Sequence, residues 1–159
     1  MAEIDVQFED NSTEVLKELE KATEKALYKI GLLGVQGCVE KASDIDDVTG
    51  RPTVDTGRYR AAFGFITPAN GKMSGTPTTK SEITDDISSQ RADKNTVVIA
   101  NNVEYAPYLE VGSGTKEGGH HARYIMKRGV ESKISEMEKA AEDVFEGKEV
   151  DLSVDFGGV

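Results

Sequence analysis

Few residues in this chain have the right type and spacing for chemistry. Asp55, Thr56 and Gly57 spell the Asp-Thr-Gly of aspartic proteases, in which two carboxylates share one proton across a dimer. One copy per chain makes a homodimeric protease using Asp55 an alternative reading. Against it, Arg58 follows where those enzymes carry a small residue, and no apolar-apolar-Gly partner comes later; Leu32, Leu33 and Gly34 come earlier, on a helical pattern. A turn before a strand explains the same tripeptide. Asp44, Asp46 and Asp55 occupy positions 1, 3 and 12 of a calcium-loop frame, but Val48 and Thr49 stand where a carboxylate or amide and then a glycine are needed. His120 and His121 are adjacent, so on an extended chain they point to opposite sides, and Cys38 is far away in sequence, short of the three or four ligands of a zinc site. The run Gly112, Ser113, Gly114, Thr115 and Lys116 resembles a phosphate loop only superficially, because it lacks the GxxxxGK[ST] spacing and the strand-to-helix placement. No Ser-His-Asp or Cys-His arrangement follows from the spacing. The expectation is a protein without catalytic residues, cofactor or metal.

The totals agree with a structural role. A length of 159 residues is enough for one domain with a real core. The hydrophobic share is 37%, the aromatic share 6%, and there is no Trp, a lean core that suits burial completed by partner subunits. Net charge is −10, spread as −7 over residues 1–50, +2 over 51–100 and −5 over 101–159. Tight phosphate binding needs clustered bases, and only Arg51, Arg58 and Arg60 approach a cluster, so a nucleic-acid reader is not expected. No apolar run nears the roughly 20 residues of a membrane span, the acidic start MAEIDVQFED is no signal peptide, and the lone Cys38 fits folding in a reducing cytoplasm.

The elements that must position these residues are readable from periodicity. Residues 3–10 alternate Ile4, Val6 and Phe8 with acids, a strand pattern. Asn11 three residues before Glu14 resembles a capping box. Val15, Leu19, Ala22, Ala26, Ile30, Leu33 and Gly37 then mark one face of a long helix, and Lys17, Lys21, Lys25 and Lys29 among glutamates mark a solvated face with weak i,i+4 pairs. Gly31, Gly34 and Gly37 interrupt the helix pattern: it bends or frays there, or another backbone comes close. Residues 43–57 read as a loop, and Tyr59, Ala61, Phe63 and Phe65 as alternate positions of a half-buried strand. Residues 67–95 form a long polar arm, residues 96–100 a second strand, and residues 104–111 a short helix or an extended segment in which Pro107 argues against a central strand. A glycine-rich loop covers residues 112–119. Met126, Val130, Ile134, Met137, Ala141 and Val144 predict a C-terminal helix stopped at Gly147, and Val150, Leu152, Val154 and Phe156 a terminal strand able to pair with a neighbour. The fold class expected is α+β: a small, mainly antiparallel sheet packed by a long N-terminal helix and a C-terminal helix. It forms one domain over residues 1–146 and an extension over 147–159.

Three segments in order carry a family resemblance. The first is Thr56, Gly57, Arg58, Tyr59 and Arg60; the second is Tyr105, Ala106, Tyr108, Glu110 and Gly112; the third is Ala122 to Met126 with Tyr124 at its centre. In this order the chain resembles the tail-completion or head–tail joining (neck, minor capsid) proteins of long-tailed bacteriophages, whose pattern is roughly TG-x-L-R, then YA-x-Y-x-E-x-G, then a small-aromatic-aliphatic step into the last helix. Tyr59 stands where Leu is usual, and no Pro precedes Tyr124. The resemblance spans about residues 12–146 and implies a virion protein, made in the host cytoplasm, without catalysis. It implies a homo-oligomeric ring, a hexamer, that meets the tail terminator or tube protein on one side and head-completion or connector proteins on the other. Genomic DNA would pass through its channel without sequence-specific binding, and no membrane is involved. Besides the protease, a prophage-encoded regulatory binding module is a further alternative.

Overall fold

One long helix organises the chain. In the computed structural model, which describes residues 10–50, 57–69, 92–114 and 121–153, helix α1 (Ser12–Ser43) runs for 32 residues, about 48 Å at roughly 1.5 Å per residue. Its start differs from the expected capping box. The Asn11 side chain makes no capping bond; Asp10 Oδ1 accepts the Ser12 N–H at 3.0 Å instead. The helix splits into two environments. Residues 10–21 are exposed throughout, whereas Ala26, Leu32, Leu33, Val35, Cys38, Val39 and Ala42 are core. Val15 and Leu19, on the stripe expected to be buried, are 59% and 51% exposed. The expected i,i+4 ion pairs are also missing among the described residues. Four-residue steps join Glu14 to Glu18, Lys17 to Lys21 and Lys21 to Lys25, which are like charges.

The three glycines are contact points. A Cβ on Gly31 would run into the Phe65 ring, one on Gly34 into Ile99 Cδ1, and one on Gly37 into the Gly129 carbonyl. Close approach, not fraying, explains them: the helix is continuous through all three. Reciprocally, a Cβ on Gly129 would stand 2.6 Å from Cys38 N and Cα. Two helix backbones therefore meet directly, with no side chain between them.

After α1, a single turn α2 (Arg58–Ala61) leads into β1 (Phe63–Ile66), which pairs antiparallel with β2 (Val98–Asn101) in the register Phe63 to Asn101 and Phe65 to Ile99. The strand expected from Tyr59 is thus corrected at its start. Gly57, at φ +68°, turns the chain into a helical turn that buries Tyr59 and Ala61, and the strand begins only at Phe63. Every β1 residue is buried, with Phe65 lying edge-on to Tyr28 at 5.2 Å between ring centres. The second strand forms where expected, shifted by a residue or two.

The undecided segment near Pro107 is helical: α3 (Ala106–Val111) has Pro107 in its first turn, where a missing N–H costs nothing. The single C-terminal helix expected from the periodicity is two, α4 (Ile125–Ser132) and α5 (Ile134–Phe145), joined at Lys133. Because of that break, Ile134 turns outward to 45% exposure while Ile125, Gly129, Met137, Ala140 and Val144 face inward. Gly147 does stop α5: at φ +75° its N–H reaches the Val144 carbonyl and the Lys148 N–H the Asp143 carbonyl, the paired bonds of a Schellman end. Beyond it residues 148–153 form no strand; Asp151 instead accepts the Ser153 N–H and hydroxyl. The expected strand in residues 3–9, the rest of the terminal strand, and residues 70–91 of the arm lie outside the described residues. The architecture is α+β: a long N-terminal helix, a two-stranded antiparallel sheet, and C-terminal helices packed together.

Candidate functional site

The segments singled out in the sequence meet at one carboxylate. Glu110, in the last turn of α3, places Oε1 2.9 Å from the Tyr59 hydroxyl and 2.8 Å from the Met126 backbone nitrogen, and both donate to it. Met126 is in the first turn of α4, whose leading N–H groups have no partner inside their helix. A carboxylate there satisfies one of them and favours the positive end of the helix. In return, the last carbonyls of α3 accept from the approach to α4: Arg123 N–H bonds to Leu109 at 2.9 Å and Tyr124 N–H to Glu110 at 3.2 Å. Tyr124 adopts φ +48° to make this turn.

Tyr59 is the other half of the joint. It is fully buried, edge-on to Phe63 at 4.9 Å and stacked on Tyr105 at 6.3 Å. Its carbonyl accepts from Asn101 Nδ2 at 2.8 Å, and Asn101 Oδ1 accepts the Val103 N–H at 3.1 Å. Burial first, then the Glu110 charge, pushes the Tyr59 hydroxyl well above its ordinary range. Cys38, fully buried, is pushed up to about 12 by burial and then by Glu110. A phenol and a thiol, the two groups here with nucleophilic potential, are both held in their unreactive protonated forms.

A second lock closes the loop after α1. Asp46, its side chain 4% exposed, accepts from the N–H groups of Val48 (2.9 Å) and Thr49 (3.3 Å) through Oδ1. Its carboxylate also lies 3.0 Å from His121 Nε2 and 3.0 Å from Arg123 Nε. The Arg123 contact is a charge pair without hydrogen-bond alignment. Burial raises this carboxyl, but the two amides, His121 and Arg123 outweigh it and leave it below the usual range. Of the calcium frame, Asp46 is paired with these two side chains and Asp44 with Lys41 at 2.9 Å. Asp55 lies outside the described residues.

The remaining sequence candidates divide. Ala106 is buried and Gly112, at φ +77°, ends α3. Because residues 112–114 follow a helix and do not lead from a strand, the placement of a phosphate loop is missing; residues 115–119 lie outside the described residues, as does Thr56. Arg60 donates to Ser43 Oγ at 3.3 Å, and Arg58 is exposed. Tyr105 is half-buried and stacked on Tyr59. Tyr108 is 56% exposed, one helical turn from Val111 at 70%, with Tyr124 at 50% beyond. The joint leaves these three apolar side chains in solvent.

Two partners were missed in the sequence. Asp46 carries the local signal of an Asx turn, an acid two residues before the amide it binds, but nothing local announces His121 or Arg123. The tie from Glu110 to Met126 is likewise a contact between helices, invisible to periodicity. No protein-family model, curated protein or solved structure matches this chain.

Proposed function

We propose that this chain is a structural protein of the neck of a long-tailed bacteriophage, forming a homo-oligomeric ring that completes the tail and joins it to the head connector, with DNA passing through the channel. The observation that carries this reading is the Glu110 joint. The Arg-Tyr-Arg turn, the Tyr-Ala-x-Tyr-x-Glu-x-Gly helix and the entry to the last helices are separate in sequence, yet they converge on one carboxylate. In such an arrangement the motif residues fix geometry and hold no substrate. The exposed Tyr108, Val111 and Tyr124 then supply a subunit boundary beside a rigid joint. The acidic balance of −10 suits a channel past which DNA slides without adhering. A heterologous ring contact and neighbouring tube and connector proteins complete the proposal.

The test is assembly. Light scattering of the purified chain should give a ring-sized species, hexameric by the resemblance, and imaging or cross-linking of virions should place the chain in the neck. A stable monomer that never enters tails would sink the proposal.

A further inference from the structure

Tyr124 holds a backbone conformation that costs the fold stability. At φ +48° and ψ +43° it is left-handed, where a Cβ crowds the following carbonyl and only glycine sits without strain. The ring gives nothing to the core in return: it is 50% exposed and belongs to neither hydrophobic cluster. Strain kept at an exposed aromatic side chain marks a residue used outside the fold. Tyr108 and Val111 are exposed beside it. Arg128 follows one turn along α4, on the same side, exposed and without an ion pair to any described residue. A surface of complementary charge lies on α5. Ile134 and Phe145, 45% and 54% exposed, stand about three helical turns apart, so they share one face, with Glu138 and Ala141 between them and Glu142 at its border. Glu138 and Glu142 are exposed like charges at i,i+4, which repel, and neither makes an ion pair with a described residue; the neighbouring Lys139 is taken by Asp143 at 3.0 Å.

We propose that the Tyr124 surface of one copy of the chain seats on the α5 face of a second copy, with Arg128 set against Glu138 and Glu142 of that copy. The charges complement one another, an unpaired arginine against two unpaired acids that flank apolar side chains. Within one chain Arg128 pairs with neither acid, so the partner that brings them together is another copy. Tyrosine and arginine are also the side chains whose loss costs most at interfaces. The two surfaces differ, so the contact is heterologous: each copy uses one and offers the other, which is the condition for a closed ring. The inference rests on the ring of the proposed neck and names its contact.

Two variants of the full chain test it by sedimentation equilibrium, with helix content followed by circular dichroism. Tyr108→Ala with Tyr124→Ala removes the first surface, and Ile134→Asp with Phe145→Asp removes the second; all four positions are exposed, so helix content stays that of the wild type. The wild type associates beyond a dimer and each variant alone is monomeric. A mixture of the two variants gives a one-to-one dimer and nothing larger, because one intact surface of each kind remains. Arg128→Glu weakens the wild-type association about tenfold, and adding Glu138→Arg restores it. Tyr124→Gly weakens association as Tyr124→Ala does, yet melts about 3 °C higher, because glycine relieves the left-handed strain that alanine keeps. Variants that both still associate, or a mixture that stays monomeric, overturn the proposal and leave the neck reading standing, since that is decided on virions. A monomeric wild type overturns it as well, and the neck reading falls with it only if virions lack the chain. Equal melting of the two Tyr124 variants overturns the strain from which the role of Tyr124 is argued.

Discussion

Removing the Glu110 carboxylate should cost far more than removing the hydroxyl that donates to it. Tyr59→Phe deletes one charge-assisted hydrogen bond of 2.9 Å and leaves Glu110, half-exposed, free to recruit water. That places the loss at the low end of the range for such bonds, about 1.5 kcal/mol. Glu110→Ala leaves two donors behind: the Tyr59 hydroxyl, in a residue with no exposed surface, and the Met126 N–H at a helix start. Buried unsatisfied donors cost about 1–3 kcal/mol each, so about 3–4 kcal/mol is expected, which for a chain of this size is roughly 10 °C in Tm. Urea unfolding followed by far-ultraviolet circular dichroism on the wild type, Tyr59→Phe, Glu110→Ala and the double variant closes a cycle. The coupling should be about 1–2 kcal/mol, since the double variant no longer strands the hydroxyl. A coupling below about 0.3 kcal/mol, the usual error of additivity, would refute the joint, as would a Tyr59→Phe variant that loses as much as Glu110→Ala.

Three further outcomes follow from contacts already described. Gly129→Ala should lose at least about 3 kcal/mol, because its Cβ meets Cys38 backbone atoms that no rotamer change can move; Gly147→Ala, at φ +75° with open space around it, should lose about 1 kcal/mol of backbone strain. Stability should fall at alkaline pH. Cys38 and Tyr59 have raised values in the folded state, so the unfolded chain releases its protons first, from about pH 8.5 for the thiol and about pH 10 for the phenol. Tyr59→Phe should remove the steeper loss above pH 10 in a pH series of melts, and an unchanged slope there would contradict the burial of that hydroxyl. Cys38 should react with a thiol reagent only as fast as the protein unfolds; rapid labelling of the native chain would contradict its packing.

The sequence made the long helix, both strands and the Gly147 stop legible, because each depends on local period or a local φ requirement, and left residues 104–111 open between helix and extended chain. What was lost depends on tertiary contact. Tyr59 fits an alternating strand pattern as well as it fits α2, and only Gly57 in the left-handed region decides between them. Val15 and Leu19 belong to the same apolar stripe as Ala26 and Leu33, and no property of the stripe says that burial stops partway along it. At the candidate site, Tyr105, Ala106, Glu110 and Gly112 were marked only by the family resemblance. Their function as a joint needed the partners Tyr59 and Met126, and the lock at Asp46 needed His121 and Arg123 from the far side of the chain.

The glycine seam of α1 has a consequence for the order of folding. Gly31, Gly34 and Gly37 are covered by Phe65, Ile99 and Gly129, groups from successively later parts of the chain. Until each arrives, this part of the helix carries three residues that disfavour helix by about 1 kcal/mol apiece with nothing packed against them. The second half of α1 therefore cannot be a stable early nucleus, although it is made first. Its closure waits for the residue range of α4, which makes the contacts that complete the domain long in sequence separation and slows folding accordingly. A nascent chain released before residue 129 should leave an unfinished, apolar seam exposed, and a full-length chain should fold in one late step.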